Sequence, residues 1–215
     1  MKRLFLVLAF PAISILLMAG MLSACAAPAD KQPEINNHDS QNNAAQDENK
    51  ASDVYEYHGE MNAQFNGRSF TLEAVPKSSV EELVVNNYYY DIASEYDKLS
   101  DLYGDNEALK ISAANEKKNF DEGIYVKDYV IHEVTTLTQN EIDALLAEHI
   151  QADIDQYSLS ETAVVKADID FVWGEDAVGA QIDSGRYPRI FLCGKVNADD
   201  DWLIYEIYWG EMYGY

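Results

Sequence analysis

Apolar positions divide the chain into three regimes. An almost unbroken apolar run, Leu4 to Met21, follows Lys2 and Arg3. It is long enough for a membrane helix, so length alone does not say whether it spans. Residues 26–52, "AAPADKQPEINNHDSQNNAAQDENKAS", hold one large apolar residue, Ile35. Such a stretch cannot bury enough surface to fold and reads as a spacer. From Val54 onward the apolar residues become periodic, and order is expected to begin there.

Within this third regime the period changes with position. Asn66-Gly67 lies between two partly alternating runs in residues 55–75, the pattern of a tight β-hairpin. Pro76 ends the second run. Ser78 and Ser79, followed by Glu81 and Glu82, form overlapping capping boxes that open a helix over 80–96. Val80, Leu83, Val84, Tyr88, Ile92 and Tyr96 share one stripe of that helix, interrupted at its edge by Asn87 and Asp91. At helical spacing Tyr88 should face inward and Tyr89 and Tyr90 toward solvent. A short helix runs to about Tyr103, with Gly104 as its left-handed stop, and a third covers 106–120.

Residues 124–137 are rich in β-branched and aromatic side chains and predict a strand. A capping box at Thr138–Glu141 opens a helix through Tyr157. "VVKADIDFVW" then alternates, with Val165, Ala167, Ile169, Phe171 and Trp173 on one face and Lys166, Asp168 and Asp170 on the other. Two further strands, 187–196 and 201–212, are joined by the acidic turn "NADDD". No internal repeat is visible. The pattern predicts one α+β domain over 53–215, an N-terminal hairpin and helices packed on an antiparallel sheet.

The residues just after the first apolar run decide its fate. Leu22-Ser23-Ala24-Cys25 resembles the bacterial lipobox: a branched apolar residue, two small residues, then cysteine. Small residues let a peptidase bind the backbone extended, and the thiol is the nucleophile that accepts a diacylglyceryl group. The resemblance implies a lipoprotein signal peptide over 1–24 and a lipid on Cys25, and hence a partner in the membrane itself. The protein is then expected on the extracytoplasmic face of a bacterial cell membrane. One acyl chain binds reversibly, whereas two on one cysteine anchor stably. Residues 25–52 become a linker whose 27 flexible residues after the cysteine reach about 30 Å.

Charge narrows the partners. The chain carries 15 basic and 38 acidic residues, and loss of Lys2 and Arg3 moves the net charge from −23 to −25. Nucleic acid is excluded as a natural partner, because its phosphates would be repelled. With Cys25 lipidated, Cys193 has no cysteine to pair with, so the domain must hold itself by its core. All 15 tyrosines and all three tryptophans lie in the domain and can supply that core.

The order of helices, antiparallel strands and a long closing hairpin resembles the superfamily of nuclear transport factor two and ketosteroid isomerase, also called cystatin-like. The best-matching piece is "IFLCGKVNADDDWLIYEIYWGE", where a tryptophan after an acidic turn starts the last strand. The resemblance implies a cone of sheet and helices that often encloses a pocket. Candidates for lining it are Tyr88, Tyr129, His132, Asp168, Trp173 and Trp209. Asp168, Asp170 and His132 would be the acid–base groups, and Tyr88 and Tyr129 the donors. His132, alternating with Val130 and Val134, also fits a satisfied core histidine. No nucleophile elbow, phosphate loop or metal-ligand spacing is present, so neither a cofactor nor a metal is expected. The reading is a lipid-anchored, non-catalytic binding or interaction domain for an unknown protein, glycan or small molecule. The alternatives are a small acid–base enzyme and a glycan-recognition module built on exposed aromatics.

Overall fold

The computed structural model describes residues 55–209, apart from 146, 176 and 178–181. Residues 1–54, which include the expected signal peptide, Cys25 and the expected linker, and residues 210–215 lie outside the described residues. The described part belongs to one compact unit, Ala51–Tyr215.

Two strands come first, β1 (Asn62–Phe65) and β2 (Arg68–Leu72), joined by Asn66-Gly67. Both turn residues have positive φ, 50° and 83°. That is the two-residue turn whose twist matches a hairpin, and glycine carries the second position without strain. Three helices come next: α1 (Ser79–Ile92), α2 (Tyr96–Asp101) and α3 (Glu107–Asp121). They cross over to β3 (Val126–Thr136), which pairs with β2 in parallel. The first pair therefore extends the sheet beyond a purely antiparallel plan. The expected helix over 139–157 is described on either side of residue 146, as α4 (Gln139–Leu145) and α5 (Ala147–Tyr157). β4 (Glu161–Trp173), β5 (Gly185–Lys195) and β6 (Leu203–Trp209) complete a six-stranded sheet in sequence order, antiparallel from β3 onward. The architecture is α+β.

Helix caps form where the sequence places them. Ser78 Oγ accepts from Glu81 N, and Thr138 donates from both its backbone N and Oγ1 to Glu141 Oε2. The Glu81 carboxylate, buried, accepts from Lys77 N, Thr136 N and Thr136 Oγ1, fastening the start of α1 to the end of β3. Helix α1 stops at Ile92, short of the expected Tyr96, because Ser94 turns to φ 60°. Gly104 serves a different purpose from the one expected. A Cβ there would lie 2.4 Å from the Tyr205 ring, so glycine is needed for close approach rather than for a left-handed turn.

The sheet is covered on both faces by different helices. On the first face α1–α3 pack over Phe70, Leu72, Ile131, Val165, Ala167, Ile169, Phe171, Phe191 and Cys193. On the second, Ile150, Ile154 and Tyr157 of α5 pack over Val164, Ile190, Leu192 and Tyr205. Alternation along β4 and β5 sends neighbouring residues to opposite layers, so these two strands are apolar on both sides near their paired ends.

Tyr88 and Ile92 are buried against this first face, as the stripe predicts. Tyr88 meets Tyr129 and Phe191 edge-on, with ring centroids 5.1 and 6.0 Å apart. Tyr89 and Tyr90 are half-buried; Tyr89 sits edge-on to Phe65 and Phe70, and Lys98 lies over Tyr90. Tyr88→Ala should cost about 3–5 kcal/mol in chemical denaturation, as loss of a core aromatic does. Tyr89→Ala should cost about 1–3 kcal/mol, chiefly through its edge-on pairs with Phe65 and Phe70. Tyr90→Ala should cost least of the three.

Candidate functional site

Alternation in β2 places Arg68, Phe70 and Leu72 on the helix-covered face. Arg68 is 1% exposed, and a guanidinium at that depth must find acceptors. Its Nε donates to Val126 O at 2.7 Å, its Nη1 to Asp91 O at 2.7 Å and Ser94 Oγ at 3.3 Å, and its Nη2 to Asp91 Oδ1 at 3.2 Å. The rings of Phe120 and Tyr125 flank it, with centroids 5.3 and 5.6 Å away. The second carboxylate oxygen of Asp91 accepts from Tyr129 Oη at 3.0 Å. Both Asp91 oxygens are thus occupied. Burial pushes the Asp91 carboxyl above its ordinary value, and Arg68 and Tyr129 pull it back.

Glu116 of α3 lies near this pair. It falls on the stripe Leu109, Ala113, Glu116, Phe120, which faces inward although most of α3 is exposed. Burial raises its carboxyl from 4.5 to about 7; the Asp91 charge adds to the rise and Arg68 opposes it. Beside them Tyr103 Oη donates to Asn87 Oδ1 at 2.8 Å.

From Tyr129 an aromatic run continues along the same face. Tyr129 meets Phe171, Phe171 meets Trp173 edge-on at 5.8 Å, and Tyr187 stacks on Phe171 at 5.4 Å. Arg189, 7% exposed, lies over Tyr187 and over Trp209, the latter 3.2 Å from the ring centroid. Trp173 Nε1 donates to Ile182 O at 2.9 Å. Tyr88, Tyr129, Trp173 and Trp209 are therefore linked by ring and cation contacts.

His132 and Asp168 are not part of that run. His132 is the extra residue where β3 shifts register between Ile131 and Glu133. The bulge turns Ile131 and Val134 inward and leaves His132 beside exposed Glu73, with Nδ1 2.7 Å from Oε2. The expectation of a core histidine fails for this reason. Asp168 lies on the opposite face, bound by Arg186 through Nε at 3.0 and 3.1 Å and Nη2 at 2.5 Å. His132 and Asp168 thus share the far face, close enough for His132 to act on the Asp168 carboxyl, and the sheet separates them from the expected donors Tyr88 and Tyr129.

No sequence pattern signals a cleft of about 350 Å³ on the α4–α5 side, lined by the end of β3, both helices and the start of β4. In "NADDD" the Asp200 carboxylate is taken up by Asn197 N and Nδ2, at 2.8 and 2.9 Å. Among the described residues no three His, Cys, Asp or Glu side chains converge. Cys193 is fully buried, and burial pushes its thiol up, so it is no nucleophile. No protein-family profile matches the chain, and no curated protein or solved structure matches it.

The ion cluster makes two outcomes testable. Arg68→Met should cost about 3–5 kcal/mol by stranding a buried carboxylate, and the double change Arg68→Met, Asp91→Leu should recover part of that loss in a double-mutant cycle. Glu116 links stability to pH. Its folded value lies above the ordinary 4.5, so on raising the pH the unfolded chain ionises first. Stability present at pH 4.5 is then lost as the pH rises toward about 7. Asp91, also raised, acts with the same sign, while Asp168 and Glu141 are held low and act only in acid. Urea midpoints should fall between pH 5 and 8, and Glu116→Gln should flatten that fall.

Proposed function

We propose that the protein is a lipid-anchored extracytoplasmic lipoprotein of a bacterial cell membrane, carrying a non-catalytic binding or interaction domain on a flexible tether. The lipobox-like Leu22–Cys25 and the polar stretch after it support the anchor and the tether. In this reading the helix-covered sheet is a cystatin-like cone of the nuclear transport factor two and ketosteroid isomerase type. The β1–β2 pair and the α4–α5 layer are then additions to that plan.

The observation that carries the non-catalytic reading is the burial of Asp91 between Arg68 and Tyr129. A general base must be reached by its substrate, and Asp91 is buried, with Arg68 bonded to one oxygen and Tyr129 to the other. The pair reads as a staple between strand and helix. The acid–base alternative loses its donors, since His132 and Asp168 lie together on the far face, bonded to Glu73 and Arg186, away from Tyr88 and Tyr129. Exposed Trp209, backed by Arg189, suits an interaction surface better than an enclosed reaction chamber.

Two measurements test these halves separately. Cys25→Ser should abolish labelling by radioactive palmitate and leave an unprocessed precursor; labelling and processing equal to wild type would refute the anchor. Asp91→Asn should lower the melting temperature markedly, as loss of a buried ionic partner does. A variant as stable as wild type would mean that the carboxylate is kept for chemistry rather than for structure.

A further inference from the structure

The cleft beneath α4 and α5 lies on the face away from the ion cluster. Its strand side is made by Thr136, Leu137, Thr162, Ala163 and Val164, and its helix side includes Ile142, Asp143, Ile150 and Ile154. The helix side is held to the sheet at both ends, and several strand side chains facing it are small. Thr138 and Glu141 fix the start of α4. At the far end of α5, Tyr157 donates to Glu206 at 2.7 Å and Tyr208 donates to Asp153. Thr136, Thr162 and Ala163 do not fill the space left between. Ile150 and Val164 form a buried floor, whereas Leu137, Ile142 and Ile154 remain half-buried along the opening. Apolar wall with a few polar groups at the mouth is the usual make-up of a small-ligand site, and the volume falls at the low end of that class.

The charge of the lining selects among ligands. Among the described residues that line the cleft, Asp143 is a carboxylate and none is cationic. Glu141, two residues before Asp143, has its carboxyl held below the ordinary value by Thr138 and, more weakly, by the Lys166 charge. Asp143 Oδ1 also accepts from Gln139 Nε2 at 2.7 Å, and the chain as a whole is strongly acidic, so anions are repelled at range. We propose that the cleft binds a small organic cation, a protonated amine on a compact apolar body of about a dozen heavy atoms. The body lies on Ile150, Val164 and Ile154, and the ammonium sits at the mouth beside Asp143. The proposal rests on the reading of the domain as a binding module and names one of its ligand classes.

Three probes of one shape separate the contributions: 4-phenylbutylamine, 4-phenylbutanol and 4-phenylbutyrate. Calorimetric titration would use the full chain in lipid nanodiscs, with empty nanodiscs as the blank, and isoleucine-methyl NMR would locate binding. The amine should bind at least about tenfold more tightly than the acid, with the alcohol between, as a nearby carboxylate at a half-open site implies. Shifts should centre on Ile142, Ile150 and Ile154. Thr162→Trp, an exposed position at the cleft wall, should weaken all three probes at least tenfold, and Gln151→Trp should do the same from the helix side. Asp143→Asn should bring amine and alcohol within about twofold. No heat above the blank for any probe would overturn the proposal. So would an acid bound as tightly as the amine, or both tryptophan variants binding as wild type does. Those failures concern the cleft alone; the tethered, non-catalytic reading turns on Cys25 and Asp91 and would survive them.

Discussion

A buried guanidinium sets the terms for the helix-covered half of the molecule. Arg68 stands on the strand after the hairpin turn, yet its donors reach the end of α1, the first residue of β3 and, through ring contact, the end of α3. It does two jobs for α1 at once. It neutralises Asp91 and donates to the Asp91 carbonyl, one of the last carbonyls of the helix, where a cation also meets the negative end of the helix dipole. Burying a charge is tolerable only if nearly every donor is used, so the positions of four segments are dictated by one side chain. The turn at Ser94 belongs to the same constraint, since its left-handed conformation accompanies a hydroxyl that accepts from Arg68.

The opposite edge of the sheet has a neutral counterpart. Asn106 caps α3, its Oδ1 accepting from Ala108 N and Leu109 N, while its Nδ2 donates to Tyr205 O and Glu206 Oε1. Tyr157 of α5 donates to the same Glu206 oxygen from the other face. The two helix layers are therefore tied to each other through one residue of the edge strand. Burial raises the Glu206 carboxyl, and the two donors hold it down, which keeps it serviceable as an acceptor.

Much of this fold was legible from period and caps. The Asn66-Gly67 hairpin, the box at Thr138–Glu141, the inward row Val165, Ala167, Ile169 and Phe171, and the burial of Tyr88 over Tyr89 and Tyr90 all obey local rules. The features that escaped were non-local. The bulge at His132 inverts the side-chain alternation of β3, and no residue type announces it. The parallel pairing of β2 with β3 spans three helices. The ion cluster left fainter marks: Arg68 alternating with Phe70 and Leu72, Asp91 beside Tyr88 and Ile92, Glu116 between Ala113 and Phe120. Each is a charge on an apolar stripe, which in isolation reads as an interruption. Only the fold brings the three together, and mutual compensation rather than local propensity explains why they are tolerated.

The sheet also has surface that no helix covers, and each part of it is dealt with by a separate device. Where α5 does not reach, the far face carries paired polar side chains across strands: Ser69 to Asp128 at 2.6 Å, His132 to Glu73, Arg186 to Asp168. Such cross-strand pairs satisfy one another and make this part of the face largely polar, with Val172 exposed opposite Asp128. Edge strands offer open backbone groups as well. β1 limits this by being four residues long. β6 is longer, but Ile204 O accepts from Gly104 N, Ile204 N donates to Leu102 O, and Asn106 occupies Tyr205 O. The close approach of Gly104 to Tyr205 is what lets that connection lie along the edge. The glycine that looked like a helix stop is therefore better understood as the residue that lets the chain close its own sheet.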